Sequence, residues 1–192
     1  MNTRRILITL LALLCAAATA LAQQPANVPP PPLNGHCTRT TVDLEGLQDN
    51  FGGPSEPTTP SPALQAYLAT HNGVGYDTAQ PNHHVGESFL VCPCEACGAK
   101  LEIRVRHTNP LDVWNNDNYT VGIAPFASSQ NQVIATGQIW NGPGDTAPKT
   151  ITVALSGQAL SKLLCGSKSQ FLDVVVQDDT TVDWMRLTIQ QP

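Results

Sequence analysis

From about residue 86 to the end of the chain, apolar and polar residues alternate in short runs. Leu101, Ile103 and Val105 fall on one face of an extended segment and Glu102, Arg104 and Arg106 on the other, the period-2 pattern of a half-buried strand. Ile151, Val153 and Leu155 repeat it, as do Leu172, Val174 and Val176, and Met185, Leu187 and Ile189. Turn residues separate these runs. The pattern predicts strands over 87–91, 100–106, 118–123, 132–140, 149–155, 171–177 and 183–190, with Val121 and Ile123 also facing inward. Strands at this spacing, without alternating βαβ units, predict an all-β fold. The expected architecture is a single antiparallel β-sandwich, jelly-roll or immunoglobulin-like, of about seven to eight strands with one or two short helices.

The helical signals are brief. Ser61 before Pro62 reads as an N-cap followed by a first helical position; Leu64, Tyr67 and Leu68 form one stripe and Gly73 closes the segment, so a helix is predicted over 62–70. Ser156 to Cys165 carries a second such pattern, with Leu160, Leu163 and Leu164 as its stripe and Gly166 as its stop.

The amino terminus follows a different rule. Arg4 and Arg5 precede an apolar run from Ile6 to about Ala18, and Ala20-Leu21-Ala22 before Gln23 has the small-x-small form of a signal-peptidase site. Residues 1–22 therefore read as a signal peptide cleaved near Ala22–Gln23, and the protein as secreted or periplasmic. The apolar run is too short for a transmembrane anchor. Residues 23–34 contain four consecutive prolines and read as an extended linker. Residues 35–79, interrupted by the breaker-rich stretch at 52–62, read as an N-terminal extension of a sandwich domain spanning 80–192.

Composition narrows the partners. Charged residues make up 13% of the chain, about half the ~25% usual for globular domains. The formal charge is -5, and loss of Arg4 and Arg5 with the signal peptide takes it to -7. An acidic surface without a Lys/Arg stripe repels phosphate backbones, which excludes nucleic acid as a partner.

Five cysteines follow the signal peptide: Cys37, Cys92, Cys94, Cys97 and Cys165. Three of them crowd into V-C-P-C-E-A-C-G, just ahead of the 100–106 strand. In an oxidising compartment the default is disulfides, and an odd count leaves one thiol to link two chains into a homo-oligomer. Cys94, Cys97 and Gly98 also resemble a zinc knuckle, although a structural zinc normally takes two such pairs and only one is present. Disulfides are the favoured reading, with Cys165 as the long-range partner. The other reading is a periplasmic metal-binding or redox protein, with zinc or copper held by Cys92, Cys94 and Cys97 together with His83 and His84 from a loop ahead of the first strand.

Oxygen ligands gather at two strand ends: Asp117 in N-N-D-N, and Asp178, Asp179 and Asp183 in Q-D-D-T-T-V-D. Calcium takes such carboxylates, and hairpin turns use the same residues to satisfy their own amides. No cofactor is required by the sequence; calcium or zinc are the ions its residues would accept. Trp114, Trp140 and Trp184 lie beside turns or strand ends, where an indole either stacks on a sugar or anchors a core. Catalysis finds little support, since no G-x-S-x-G elbow, phosphate loop or S-x-x-K occurs. The expected function is a non-enzymatic binding, adhesion or structural module at the cell surface, with a surface protein or glycan as partner.

Overall fold

The computed structural model describes residues 39–91, 98–108, 116–123, 132–142, 144–145, 147–157 and 170–191. Within them the chain forms β1 (Arg39–Glu45), α1 (Pro62–Leu68), β2 (Gly73–Val74), β3 (His83–Val91), β4 (Gly98–His107), β5 (Asn118–Ile123), β6 (Gln132–Gln138), β7 (Lys149–Leu155), β8 (Gln170–Asp178) and β9 (Thr180–Gln191). These strands make two open sheets, one in the order β1-β9-β4-β7 and the other β2-β3-β8-β5-β6. Every pairing is antiparallel except the short β2–β3 contact, which is parallel.

Alternation along the strands decides which side chains are covered. Leu101, Ile103 and Val105 of β4, Ile151, Val153 and Leu155 of β7, and Met185, Leu187 and Ile189 of β9 line the inner face of the first sheet. Val85, Phe89 and Val91 of β3, Val121 of β5, and Leu172, Val174 and Val176 of β8 meet them from the second. Tyr76, Ile139, Trp140 and Val182 belong to the same core. Each fully buried Val, Leu or Ile contributes roughly 1.5–3 kcal/mol, so this shared face is the main source of stability. Ile123, expected inside, is only half-buried.

All seven predicted strands are present, lengthened by a few residues at some ends, while the one predicted over 132–140 stops at Gln138. β1 and β2 were not legible, and β1 shows why. Its apolar residues point outward, with Val42 56% and Leu44 42% exposed, while Asp43 and Glu45 occupy the half-buried positions. It pairs along its full length with β9, from Arg39↔Gln191 to Glu45↔Met185. Residues 39–79, read from sequence as an extension, are thus stitched into both sheets through β1, β2 and the core residue Tyr76. His83 and His84, expected in a loop, open β3 itself.

α1 matches its prediction closely. The Ser61 hydroxyl accepts from the Leu64 amide at 3.2 Å, Pro62 starts the helix, and Leu64 and Leu68 bury themselves on Val175. The helix lies against the outer face of the second sheet at Gly86, where a Cβ would come within 2.8 Å of the Leu68 side chain. Beneath it the Ser61 amide donates to Ser88 Oγ at 2.6 Å, and Ser88 Oγ donates to the buried Asp173 at 2.7 Å. Among the described residues no helix is long and apolar enough to cross a membrane. The five cysteines, Trp114, the signal peptide, the 23–34 linker and most of the predicted 156–165 helix lie outside the described residues.

Candidate metal centre

Three carboxylates far apart in sequence converge beside the β9 strand. Pairing between β4 and β9 runs from Gly98↔Gln190 to Arg104↔Trp184, and the next pair is Val105↔Val182. Asp183 is therefore the extra residue of a β-bulge, a device that re-aims a side chain out of the ordinary alternation. Its carboxylate, on a residue only 2% exposed, accepts from the Phe51 amide at 3.0 Å. The loop bringing Phe51 there leaves β1 at Gly46, whose φ of +79° suits glycine and whose missing Cβ would stand 2.6 Å from the Asp183 carbonyl. Asp49 lies on the same loop and caps its turn by accepting from the Gly52 amide at 3.0 Å.

Asp77 arrives from the other side. The segment after β2 is held by an isolated bridge between Glu56 and Tyr76, and the Asp77 amide donates to the Val182 carbonyl at 2.8 Å. Asp77 adopts φ +56°, the left-handed region that Asp tolerates better than most residues. One ligand oxygen from each of Asp49, Asp77 and Asp183 lies within 4.8 Å of the others. Two oxygens on opposite sides of a calcium ion, each bound at 2.3–2.6 Å, are about 4.6–5.2 Å apart, so the spacing fits one ion at the centre.

The electrostatics point the same way. Neither carboxylate oxygen of Asp77 has a hydrogen-bond partner or contact with solvent, and Glu56 Oε1 shares that condition. A buried carboxylate oxygen without a donor is costly. Burial first, and then the charges of Asp49, Asp183 and Glu56, push the Asp77 carboxyl up to about 6, against the lowering effect of Arg106. Asp183 is also raised, again chiefly by burial. Arg106 and Arg104 sit over the Phe51 ring, at 4.7 and 5.9 Å from its centre.

The other acidic residues singled out from sequence have different tasks. Asp117 is fully buried; its Oδ1 accepts from Thr180 Oγ1 at 2.9 Å, and Thr180 Oγ1 accepts from the Trp140 indole at 3.0 Å. Its Oδ2 lies 3.9 Å from His107 Nε2, and burial raises its carboxyl to about 6. Asp179 accepts from the Asn82 amide at 2.8 Å, and Asp178 is bonded by the Asn116 amide. These three pin the β8–β9 turn to its neighbours. Among the described residues, only Asp183 of the four joins a group with metal-ligand spacing. Its partners, Asp49 and Asp77, were missed because each sits in an ordinary turn, D-N-F-G-G and G-Y-D-T, with no motif linking them.

His83 and His84 point to opposite faces, as neighbours in a strand must. His83 is fully buried, and its two ring nitrogens face the carbonyls of Gln80 and Thr180. His84 turns outward, with Nδ1 donating to the His71 carbonyl at 2.7 Å. Burial lowers the pKa of both. Trp140 is fully buried, with Lys149 4.2 Å above one ring and His107 5.1 Å away, the position of a core anchor rather than of a sugar platform. Trp184 is 9% exposed and covered by Arg186 at 5.2 Å. Compared with known proteins, the chain matches no family model and no curated sequence.

Proposed function

We propose that this chain is an exported, non-enzymatic β-sandwich module that binds at the cell surface and holds a calcium ion between Asp49, Asp77 and Asp183. The observation that carries the reading is the pair of buried Asp77 oxygens, without donors, turned toward two further carboxylates. A hard divalent cation satisfies those oxygens and neutralises their mutual repulsion; main-chain carbonyls and water complete the six to eight ligands calcium takes. The donor set is all oxygen, which disfavours zinc and copper. The ion would tie the loop after β1 to the bulge in β9, and so fix a loop at the sandwich margin, where modules of this architecture carry their binding surfaces.

Of the two architectures left open by the sequence, the jelly roll has the better support. Leaving aside β2, the sheet orders β1-β9-β4-β7 and β3-β8-β5-β6 are those of an eight-stranded jelly roll, in which the chain passes repeatedly from one sheet to the other. Export rests on the Arg4-Arg5 and Ala20-Leu21-Ala22 signals.

Calorimetric titration of calcium into the chelator-treated mature chain tests the ion. One calcium per chain is expected, with a dissociation constant on the order of 10⁻⁴–10⁻³ M, typical of extracellular modules, and Asp77→Asn should abolish it. Absence of binding at millimolar calcium would end the proposal.

A further inference from the structure

We propose a second metal site, on the opposite side of β3 from its inward-facing residues, in which His71 and His84 together bind one Cu²⁺ ion through their Nε2 atoms. The two residues are brought together by backbone pairing. His71 lies just beyond α1, two residues before Gly73, which is the β2 residue paired with His84. The His84 amide donates to the Asn72 carbonyl at 3.3 Å and its ring Nδ1 to the His71 carbonyl at 2.7 Å. His84 is thus fixed to the 71–72 segment by both its main chain and its ring.

The tautomers follow from the acceptors. A carbonyl oxygen can only accept, so His84 Nδ1 carries the proton. His71 Nδ1 lies 2.8 Å from the Tyr67 carbonyl and 2.9 Å from Thr70 Oγ1, which itself donates to that same carbonyl, so this nitrogen carries its proton as well. Each imidazole is left with its lone pair on Nε2. A ring held by an Nδ1–H bond to a main-chain carbonyl, with Nε2 as the donor atom, is the arrangement metal-ligating histidines normally show.

The ring positions suit a shared ion. The two imidazole centres are 5.5 Å apart with their planes at 79°. With N–metal bonds of ~2.1 Å, each ring centre lies about 3.2 Å from the ion, so rings on adjacent and on opposite positions of a tetragonal copper have centres about 4.5 and 6.4 Å apart, a range that contains the observed separation. Tyr67 stacks on His71 at 3.9 Å and meets His84 edge-on at 5.7 Å, which limits the rotation of both rings. Gln177 is the cross-strand partner of His84, and Asp178 beside it adds negative potential. Imidazole nitrogen favours copper over zinc and nickel, and water fills the remaining positions.

The test is paramagnetic resonance and titration of Cu²⁺ with the mature chain, comparing wild type, His71→Ala, His84→Ala and Asp77→Asn. Wild type should give a signal split by two imidazole nitrogens. Each histidine variant should lose one nitrogen coupling and weaken binding at least tenfold, whereas Asp77→Asn should change neither. Copper taken up by thiols would add a background that neither histidine substitution moves. Thermal melts in chelator establish that each variant is folded, which the surface position of His71 favours. Two-nitrogen binding that survives in both histidine variants, or wild-type spectra without two-nitrogen coupling, would overturn the proposal.

Discussion

Replacing Asp77 by Asn should have opposite effects on stability with and without calcium. Asn is nearly isosteric with Asp and tolerates φ +56° equally well, so the backbone at this position is undisturbed. Without the ion, burial first and then the like charges of Asp49, Asp183 and Glu56 raise the Asp77 carboxyl from 3.8 to about 6. That rise would represent about 3 kcal/mol at neutral pH in a dry site. Asp49 is exposed and Asp77 only half-buried, so solvent screening reduces it to about 1–2 kcal/mol. Asn removes the repelled charge and gives the neighbouring carboxylates a donor. In chelator at pH 7.5 the variant should therefore melt about 3–6 °C above wild type. Calcium at one hundred times its dissociation constant adds about 2.7 kcal/mol to wild type alone, which reverses the order. Scanning calorimetry of both proteins in chelator and in calcium reads all four values. A variant that melts below wild type in chelator, or calcium that raises both proteins equally, would refute the reasoning.

Three further outcomes are expected. Val174→Asp places an unpaired charge in a fully buried position between the sheets and should prevent folding; a soluble protein with wild-type circular dichroism would contradict the inward assignment of β8. Asp117 binds its proton near pH 6 when folded and near 3.8 when unfolded, so its contribution strengthens the fold as pH falls through this window and is lost as pH rises above about 6. Urea melts of Asp117→Asn between pH 5 and 7 should show a shallower pH dependence than wild type, and parallel curves would count against it. If Cys92, Cys94 and Cys97 pair with Cys37 or Cys165, reduction should cost roughly 2–5 kcal/mol and release no metal. Mass spectrometry finding all five thiols reduced, with zinc or copper bound, would favour the soft-metal alternative.

The strands that could be read from sequence are those whose alternation reports a shared face. β4, β7, β8 and β9 are flanked on both sides or closed over by the opposite sheet, so Leu101, Ile151, Val174 and Leu187 each mark the inner surface without ambiguity. β1 is an edge strand whose half-buried positions are Asp43 and Glu45, and its polarity is inverted with respect to the rule. Inward-pointing charge on an edge discourages pairing with another chain, at the cost of the pattern by which a strand is recognised. The candidate metal centre was legible only at Asp183. Its other members depend on a bulge in β9 and on two left-handed turns, at Asn50–Phe51 and at Asp77, and these follow from tertiary pairing rather than from local residue choice.

The ladder between β1 and β9 has a mechanical consequence. Because the strands run antiparallel with Arg39 opposite Gln191, the first and last described strands begin and end at the same place on the sandwich. Tension applied between those two ends loads the ladder one hydrogen-bonded pair at a time, so it opens like a zipper at low force instead of resisting as a sheared sheet. The carboxylate cluster lies just past Glu45↔Met185, at the closed end of that zipper. An ion there would act as the stop where peeling halts, leaving β4, β7 and the second sheet folded behind it.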